Sequence, residues 1–492
     1  MTGMASARSS LLAVLAFALS ACTQGPDFKS PTVDEGEGNP MTPPRTAETG
    51  VAGGEAQSFL VGEELPAAWW QLFASPDLNT LINQALASNP DLHSAQAALR
   101  QAEENLRAGS SALYPQVTGS TYGTRQGAGS AATGGQAAFY NVFNANVGVS
   151  YVLDIFGGEK RTIEGLAAQV DYEKYQLAGT YLTLTANVVT TAVQIAAAQD
   201  QVEANEDILA SEQRQLSLVG ERFAVGSAAR AEVLSARAQV ESTEASLPAL
   251  QKIIETDQHE LAALLGRAPD SLQPVKLTLA NFTLPRELPI SLPSTLVRQR
   301  PDIQAQEALL HAASAQIGVA TANQFPQFTL TGSTGLQSSH FADMFGGGAL
   351  LGGLAGGVTQ PLFDAGQREA QTNAAKAAYQ QAEAQYRGTV IHAFQNVADC
   401  LTALRNDALT LKSTYAAMID GRDSVELTQD RYAAGTIDYV TLLVQQQQYQ
   451  QARINYLTTL ASRYSDTAAL FQALGGGWWH DQNLIPPPPP GS

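Results

Sequence analysis

The stretch "RPDIQAQEALLHAASAQIGVATANQFPQF", residues 300–328, decides the fold, because the chain contains a second version of it 211 residues earlier. Residues 89–117 read "NPDLHSAQAALRQAEENLRAGSSALYPQV", and the two stretches align without a gap. Asp91 then matches Asp302, and Leu99 matches Leu310. Both stretches run into an aromatic residue followed by Pro-Gln. The sequence therefore predicts an internal duplication.

A second match extends the duplication further along each half. At an offset of 209, "ERFAVG" (221–226) aligns with "DRYAAG" (430–435). Counting back from each aromatic residue in steps of seven reaches an apolar residue every time: Phe223, Leu216, Leu209, Val202, Ile195, Val188 and Tyr181, and in the second half Tyr432, Val425, Met418, Leu411, Leu404, Val397 and Val390. This spacing is typical of helices packed along a supercoiled seam, although a single stripe also fits the core of a plain bundle.

The length of these helices favours a rod or a tube wall. No proline interrupts the chain between Glu159 and Phe223. About 64 residues at a rise of ~1.5 Å give a helix of ~96 Å, whereas a small domain is ~30 Å across. Gly226 and Gly435 suit a helix C-cap in the left-handed region. A second helix is predicted to return over 229–265 and over 438–473, so each half contains a long helical hairpin.

Between the Pro-Gln motif and each long helix, the sequence alternates with the period of a β-strand. In "FYNVFNANVGVSYVLDIF" (139–156), the odd positions are apolar except for Asn141, and the even positions include Asn144, Asn146, Ser150 and Asp154. Residues 328–336 alternate too, and weaker Gly-rich partner strands are predicted at 117–125 and 350–363. Loops at 126–138 and 338–349 complete one β-hairpin per half. The edge of a soluble sandwich remains the alternative.

The N-terminus has the pattern of a lipoprotein signal. Arg8 precedes the apolar run "SSLLAVLAFALSA", which is too short to span a bilayer. The run ends in "LSAC" (19–22), which resembles a bacterial lipobox with lipid attached to Cys22, and an ordinary signal with a chance cysteine is the alternative. Thr23, in place of a retention aspartate, favours the outer membrane. No later segment approaches 18 consecutive apolar residues, so other membrane contact would use β-strands.

Composition narrows the class of protein and its organisation. The formal net charge is −18, which excludes a nucleic-acid partner, because phosphate binding requires clustered Lys and Arg. The domains predicted are a signal peptide (1–21), an acylated, extended tether with little structure (22–60), two repeats (61–283 and 284–474) and a C-terminal tail (475–492). The sequence contains no GxxxxGK[ST], HExxH or GxSxG motif, and its six histidines are scattered. No enzyme activity, metal site or cofactor is predicted, apart from the lipid on Cys22.

The predicted hairpins imply an oligomer. Four strands per chain cannot close a barrel, and an open sheet edge in lipid leaves backbone groups without partners. Two copies give eight strands with an interior filled by side chains, and three give twelve, enough for a lumen. The fold expected is an α+β membrane protein: a homotrimer with a 12-stranded β-barrel in the membrane, continued by a tube of 12 helices. The duplication gives this ring near-sixfold regularity.

Several segments together carry a resemblance to a known family. They are "CTQGPDF" (22–28), "WWQLFASPDLNTLINQALASNPDL" (69–92), the block at 298–328, "PLFDAGQR" (361–368), "RYAAGTIDYVTLL" (431–443) and "LFQALGGGW" (470–478). In this order they resemble the lipoprotein branch of the TolC-type outer-membrane efflux channels. The resemblance implies a passive duct for small toxic compounds, with a periplasmic adaptor, an inner-membrane transporter and outer-membrane lipid as partners. It also implies that the trimer has a 12-stranded outer-membrane β-barrel, a 12-helix periplasmic α-barrel and an equatorial belt built from 61–88, 267–299 and 474–485.

The resemblance places the functional residues at the hairpin turns. The turns expected to contact an adaptor contain Arg222, Phe223 and Gly226 in the first copy, and Arg431, Tyr432 and Gly435 in the second. Any helical hairpin also favours glycine there. Relatives often carry an acid nine residues after the second glycine, where this chain has Val444. A constriction is expected with an apolar ring from Val440 and Val444, Thr441 between them, and negative charge from Glu232 and Asp438.

Two other functions stay open from the sequence. A duct for type I protein secretion shares the fold, and the lipobox argues against it. A coiled-coil structural or tethering lipoprotein would show the heptads but no barrel and no trimer with a lumen.

Overall fold

The computed structural model describes residues 23–32, 45–129, 134–135, 138–290, 293–481 and 484. The signal peptide and Cys22 lie outside the described residues. The strands are β1 (Ser58–Val61), β2 (Gln116–Ala128), β3 (Ala138–Leu153), β4 (Glu287–Ile290), β5 (Gln327–Ser338) and β6 (Leu350–Thr359). The helices are α1 (Pro76–Ser88), α2 (Pro90–Ser110), α3 (Gly158–Ala224), α4 (Arg230–Leu264), α5 (Pro293–Gln299), α6 (Pro301–Ala322), α7 (Gln367–Ala433) and α8 (Tyr439–Ala473).

The two halves match in length. Helices α3 and α7 each contain 67 residues, and α4 and α8 each contain 35. Adding 209 to the bounds of α3 and α4 gives the bounds of α7 and α8. At ~1.5 Å per residue, each longer helix is about 100 Å long. Apart from Phe223, every residue of the two heptad series is buried or half-buried, so the seam is a packing face.

The repeated Pro-Asp pair starts a helix in both halves, with different chemistry. In the first half, the Asn89 side chain accepts hydrogen bonds from the backbone N–H groups of Asp91 (2.9 Å) and Leu92 (3.0 Å), which caps α2. In the second half, Arg300 replaces the asparagine and forms a bidentate pair with Asp302, with nitrogen–oxygen distances of 3.0 and 2.7 Å. Proline at the first helical position suits both starts.

One four-stranded antiparallel sheet joins the halves in the order β2-β3-β5-β6. Each half contributes one hairpin, and the hairpins meet along β3 and β5, where Ala145 pairs with Leu336. Strands β2 and β6 are the two edges. Apolar side chains on the sheet are exposed, among them Val147, Leu330 and Leu354. The sheet therefore presents an apolar face that the described part of the chain does not cover.

Two strands end earlier than the sequence predicted. The strand expected to reach residue 156 stops at Leu153, because the Asp154 carboxylate accepts from the N–H groups of Glu159 (3.1 Å) and Lys160 (2.9 Å) and caps α3. The strand expected to reach 363 stops at Thr359, ahead of Pro361, which has no N–H to donate. The predicted loop 338–349 also contains a 3₁₀ turn, Phe341–Phe345.

Segments distant in sequence form one core beside the long helices. Strands β1 and β4 pair in parallel, and Trp69, Phe73 and Phe471 pack together, with the Trp69 and Phe471 rings 5.5 Å apart. Trp478 is 7% exposed and donates its indole N–H to the carbonyl oxygen of Gln299 over 2.7 Å. Residues from the three segments expected to form a belt are thus in contact, and the start of the predicted tail belongs to the core.

Residues 45–60 of the tether predicted at 22–60 are packed against the rest of the chain, which corrects the expectation of little structure there, whereas most of residues 23–32 are exposed. Buried Gln57 donates to the carbonyl oxygen of Pro285 (3.1 Å) and to the Thr467 hydroxyl (3.1 Å). The composition of the segment is polar, but its backbone and side-chain groups find partners on α8 and the β4 region. Polar content alone did not reveal those partners.

Helix α3 contains an 18-residue window with a mean hydropathy of 1.3, long and apolar enough to cross a membrane. Because 78% of that window is buried inside the protein, its apolar residues are accounted for by packing against the other helices.

Candidate functional site

Both helical hairpins turn through the same glycine-centred C-cap. Gly226 has φ +77, its N–H donates to Phe223 O over 2.9 Å, and the next N–H, from Ser227, donates to Arg222 O over 2.8 Å. This is a Schellman motif, which requires a left-handed residue and satisfies two terminal carbonyls. The same two bonds recur at Gly435, with φ +71. We call residues 222–232 and 431–441 the first and second hairpin tips.

The returning helices start with different caps. The Asp438 carboxylate accepts from the backbone N–H of Thr441 (2.9 Å) and from its hydroxyl, and these bonds lower the pKa of Asp438. In the first tip the equivalent of Asp438 is Ala229, and Glu232 reaches back to accept from the Ala229 N–H over 3.2 Å. Two of the residues expected to charge the constriction, Glu232 and Asp438, therefore also hold the tips in shape.

Arg222 and Glu232 of the first tip both bind Tyr432 of the second. The Arg222 guanidinium lies 4.8 Å from the centroid of the Tyr432 ring and donates to the carbonyl oxygens of Tyr432 (3.4 Å) and Ala433 (3.3 Å). These are terminal carbonyls of α7, where a cation is favourable. The Tyr432 hydroxyl lies 3.1 Å from Glu232 Oε2. We call this set the intrachain joint.

An apolar cluster supports the joint. Val219, Ala236, Tyr432, Tyr439 and Leu442 are all buried and in contact, and the rings of Tyr432 and Tyr439 are 5.6 Å apart. Burial raises the pKa of Tyr432, and raises that of Tyr439 to about 12, so both hydroxyls stay protonated at neutral pH. The Tyr432 hydroxyl is therefore available as a donor to the Glu232 carboxylate.

The other residues singled out from the sequence are exposed. Val440 and Val444 are 58% and 43% exposed and lie four residues apart, on one face of α8. Phe223 is 46% exposed. The exposed Arg431 side chain has no hydrogen bond, ion pair or ring contact with the described residues. Thus the structure brings Arg222, Tyr432 and Glu232 together, and leaves Phe223, Arg431 and the two valines free of the intrachain joint.

A polar network between the hairpins was missed by the sequence analysis. Buried Glu212 accepts from Gln239 Nε2 over 2.9 Å, and Gln239 Oε1 accepts from Gln447 Nε2 over 2.8 Å. Burial raises the pKa of Glu212. The heptad spacing could have revealed this network. Glu212 falls three residues after Leu209, at a position where a helical seam usually has a second apolar residue.

Fully buried Arg463 marks a second polar cluster, also missed. Its side chain is 0% exposed and donates to the carbonyl oxygen of Glu55. Burial and the neighbouring carboxyl group of Asp466 raise the pKa of Asp407 to about 7, while Arg463 opposes that shift. The cluster joins α7, α8 and the segment before β1, far from the hairpin tips in sequence.

The segment that follows Cys22 is clamped at the start of α3. Gln24 N–H donates to Phe156 O over 3.1 Å, and the Arg161 guanidinium binds Asp27 (2.8 Å) and Glu164 (2.6 Å). The Phe28 ring stacks on His311, with centroids 4.4 Å apart, and His311 Nε2 lies 2.9 Å from Glu164. The residues next to Cys22 are thereby fixed where β3 gives way to α3.

Comparison with known proteins agrees with this architecture. The model of the family "outer membrane efflux protein" matches residues 81–267 and 292–476. The pyoverdine export outer membrane protein OpmQ of Pseudomonas putida is 30% identical over 442 residues, covering 88% of this chain and 93% of that protein. The toluene efflux pump outer membrane protein TtgC of Pseudomonas putida is 29% identical over 473 residues, covering 94% of each.

A solved structure gives the same result. The structure of the outer-membrane channel OprN superimposes with a TM-score of 0.83 at 26% identity, covering 93% of this chain and 100% of that one. Since the family model covers more than half of the sequence and the matches span nearly the whole chain, the chain belongs to the outer membrane efflux protein family, and it is an outer-membrane efflux channel with a long periplasmic helical portion.

Proposed function

We propose that three copies of the chain assemble into a passive duct through the outer membrane. The observation that carries the proposal is the open four-stranded sheet. Its edge strands β2 and β6 each pair on one side only among the described residues, and its apolar side chains are exposed. Unpaired backbone groups are unfavourable in lipid, so the edges require partners. Four strands per chain give a closed sheet of twelve in a trimer.

The helices support the same stoichiometry. Each chain has four long helices, in two hairpins of equal length, so a trimer has six hairpins of one design. Twelve helices about a common axis then continue the barrel as a tube. The chain would act by opening and closing this tube, with no chemistry of its own.

The internal repeat also predicts the register between neighbouring protomers. Strand β5 follows β2 at an offset of 211, and β6 follows β3 at 209, because Gln327 pairs with Thr359 as Gln116 pairs with Ser150. Within the chain, Ala145 pairs with Leu336. The counterpart of Ala145 in the second half is Leu354, and the counterpart of Leu336 in the first half is Arg125. The repeat therefore places Leu354 opposite Arg125 of the partner subunit.

This register can be tested by disulfide formation. In a Cys400→Ala background, Leu354→Cys with Arg125→Cys should give dimers and trimers on non-reducing denaturing gels after mild oxidation. The matched control pairs Leu354→Cys with Thr124→Cys, because a slip of one residue moves the thiol to the other face of the sheet. A monomeric protein in mild detergent, with no cross-linked species, would contradict the proposed trimer.

For the constriction, we propose that Val440 and Val444 of three chains narrow the tube at its periplasmic end. Their exposure on one face of α8 supports this position, and Asp438 caps the same turn by accepting from Thr441. Glu232 and Asp438 would add negative charge close by, which favours cationic solutes. Val444→Asp would extend that charge into the ring and should raise cation selectivity in planar bilayers.

We further propose that lipid on Cys22 anchors the chain beside its own strands. The clamp on residues 24–28 supports this, since it fixes the preceding residues near the end of β3. The sheet would insert in the bilayer while the acyl chains enter the adjacent leaflet. Mass spectrometry of the mature N-terminal peptide tests the modification, and an unmodified Cys22 would contradict it.

As partners we propose a periplasmic adaptor at the hairpin tips and an inner-membrane transporter that supplies the energy. The cargo would be small toxic compounds, since relatives of the chain are named for pyoverdine export and for toluene efflux. Protein secretion is the remaining alternative within the fold. Deleting the gene should raise intracellular accumulation of dyes, antibiotics or solvents, and complementation should reverse it. Unchanged accumulation with a depleted secreted proteome would favour the alternative.

A further inference from the structure

The intrachain joint has a counterpart in the sequence, Arg431 and Phe223, whose side chains form no such joint among the described residues. Arg431 is the counterpart of Arg222 at an offset of 209, and Phe223 is the counterpart of Tyr432. Arg222 lies on the Tyr432 ring, whereas Arg431 is exposed without a side-chain partner among the described residues, and Phe223 is 46% exposed. Each protomer thus has an exposed cation, Arg431, in its second hairpin tip and an exposed aromatic ring, Phe223, in its first.

We propose that Arg431 of each protomer lies over Phe223 of the partner subunit and closes the ring of hairpin tips. In a ring of six similar hairpins, the step from the first to the second hairpin is repeated from the second to the first hairpin of the next chain. The intrachain contact of Arg222 with Tyr432 then maps onto Arg431 and the partner's Phe223. The inference rests on the proposed trimer and goes further, because it names the residue that the second copy contributes.

The mapped contact offers Arg431 the same kinds of groups that Arg222 contacts, an aromatic ring and terminal helix carbonyls. Phenylalanine presents the same aromatic face to a guanidinium as tyrosine does. Arg222 donates to the carbonyl oxygens of the residue it covers and of the next, Tyr432 and Ala433. The corresponding acceptors are the terminal carbonyls of α3, at Phe223 and Ala224, where a cation is favourable.

The two kinds of joint differ in one hydrogen bond. The intrachain joint has the bond between Tyr432 and Glu232. At the mapped joint, Phe223 has no hydroxyl, and the counterpart of Glu232 is Thr441, whose hydroxyl donates to Asp438. The three joints between protomers are therefore the weaker set, and the tips separate between chains before they separate within a chain.

Chemical cross-linking of the full-length trimer tests the contact. In a Cys400→Ala background, Arg431→Cys with Ala224→Cys is treated with a short bis-maleimide and run on a denaturing gel. A shift from monomer to dimer and trimer mobility is expected. The matched control, Arg222→Cys with Ala433→Cys, has the thiols at the observed contact and should cross-link while keeping monomer mobility.

Size-exclusion chromatography of each variant separates the two possible failures. An intact trimer in which the control pair reacts but Arg431→Cys/Ala224→Cys stays monomeric on the gel overturns the proposed contact and leaves the trimer standing. Elution as a monomer overturns the proposed trimer and this contact with it. Dimer formation by an Arg405→Cys/Ala224→Cys pair, in which Arg405 lies on α7 many turns before Arg431, would overturn the contact by showing that the reagent joins chains without specificity.

Discussion

The hydroxyl of Tyr432 and the carboxylate of Glu232 lie 3.1 Å apart, and they belong to different halves of the chain. This bond holds the two hairpin tips of one chain together. Tyr432→Phe keeps the ring under Arg222 and removes the bond, which is worth about 0.5–1.5 kcal/mol or more when one partner is charged. We expect a higher mean conductance in planar bilayers, because looser tips populate the open tube more often.

Tyr439→Phe is the matched control for that measurement. Tyr439 is buried in the same cluster, 5.6 Å from Tyr432, but its hydroxyl has no hydrogen bond among the described residues. Its conductance should stay at the wild-type level. Equal increases in the two variants would show that cluster packing, and not the bond to Glu232, sets the resting state.

Joining the protomers more firmly should have the opposite effect. Phe223→Tyr combined with Thr441→Glu copies the hydroxyl and carboxylate of the intrachain joint onto the joint proposed between chains. We expect lower mean conductance and slower opening in bilayers, with trimer assembly unchanged. Either substitution alone lacks one partner of the bond and serves as the control. A double variant that conducts like the wild type would argue that the tips do not meet between chains.

Stability should depend on pH through Asp407. Burial and the neighbouring carboxyl group of Asp466 raise its pKa to about 7, above the ~3.9 of an unfolded aspartate. Between about pH 4 and pH 7 the native state then binds more protons than the unfolded chain, so the free energy of unfolding falls as pH rises through this window. Asp407→Asn should reduce the loss of Tm between pH 5 and pH 7.5, measured by circular dichroism in detergent.

The control for this pH effect is Asp420→Asn, an exposed carboxylate on the same helix. It should retain the wild-type dependence of Tm on pH. A loss of the dependence in the control, or its full persistence in Asp407→Asn, would assign the effect to other groups.

Two glycines of α7 and its turn should respond to alanine in opposite directions. Gly435 has a φ of +71°, and a Cβ added there would have open space around it. Gly435→Ala therefore introduces only backbone strain, about 1–2 kcal/mol. Gly388 lies inside the helix, also with open space, and alanine is the better helix former there by about 1 kcal/mol. Thermal melts should show a lower Tm for Gly435→Ala and a higher one for Gly388→Ala. A higher Tm for Gly435→Ala would mean that the turn is not left-handed.

The clamp behind Cys22 predicts a local change with little global effect. Arg161→Ala removes the bonds to Asp27 and Gln24, and hydrogen bonds to a charged group contribute about 1.5–3 kcal/mol. Hydrogen exchange should accelerate by at least about tenfold in residues 23–32, since ~1.4 kcal/mol corresponds to a factor of ten. Lys160→Ala, the neighbouring exposed cation, should leave exchange unchanged. Acceleration along all of α3 would point to a global role for Arg161.

The features that repeat were predictable from the sequence, and those that depend on contacts between repeats were not. The heptads and turn glycines placed α3, α4, α7 and α8, because helix periodicity and C-cap chemistry are local. The ends of β3 and β6 were placed too far along, because Asp154 starts a helix through a cap and Pro361 lacks a donor. Each of these strand ends is set by a single residue, and the alternation of apolar and polar side chains does not show where such a residue ends the strand.

At the tips, the sequence identified Arg222, Tyr432 and Glu232 separately but not their contact. Tyr432 lies 210 residues from Arg222 and 200 from Glu232, so only packing brings it to them. The contacts of Asp27 and Phe28 were missed for the same reason, because their partners lie far along the chain. The polar composition of the segment also suggested that it is unstructured. Arg463 was missed because a buried arginine looks like any surface arginine in sequence.

The equal lengths of the two hairpins, 67 and 35 residues in both copies, have a consequence for how this chain tolerates insertions and deletions. Removing one heptad from both helices of a single hairpin keeps every seam residue in phase, yet shortens that hairpin by about 10 Å. In the proposed trimer, every second hairpin tip would then end short of its neighbours and could not reach a flat partner surface. Length changes in this protein are therefore expected to survive only as matched pairs, one in each half of the gene.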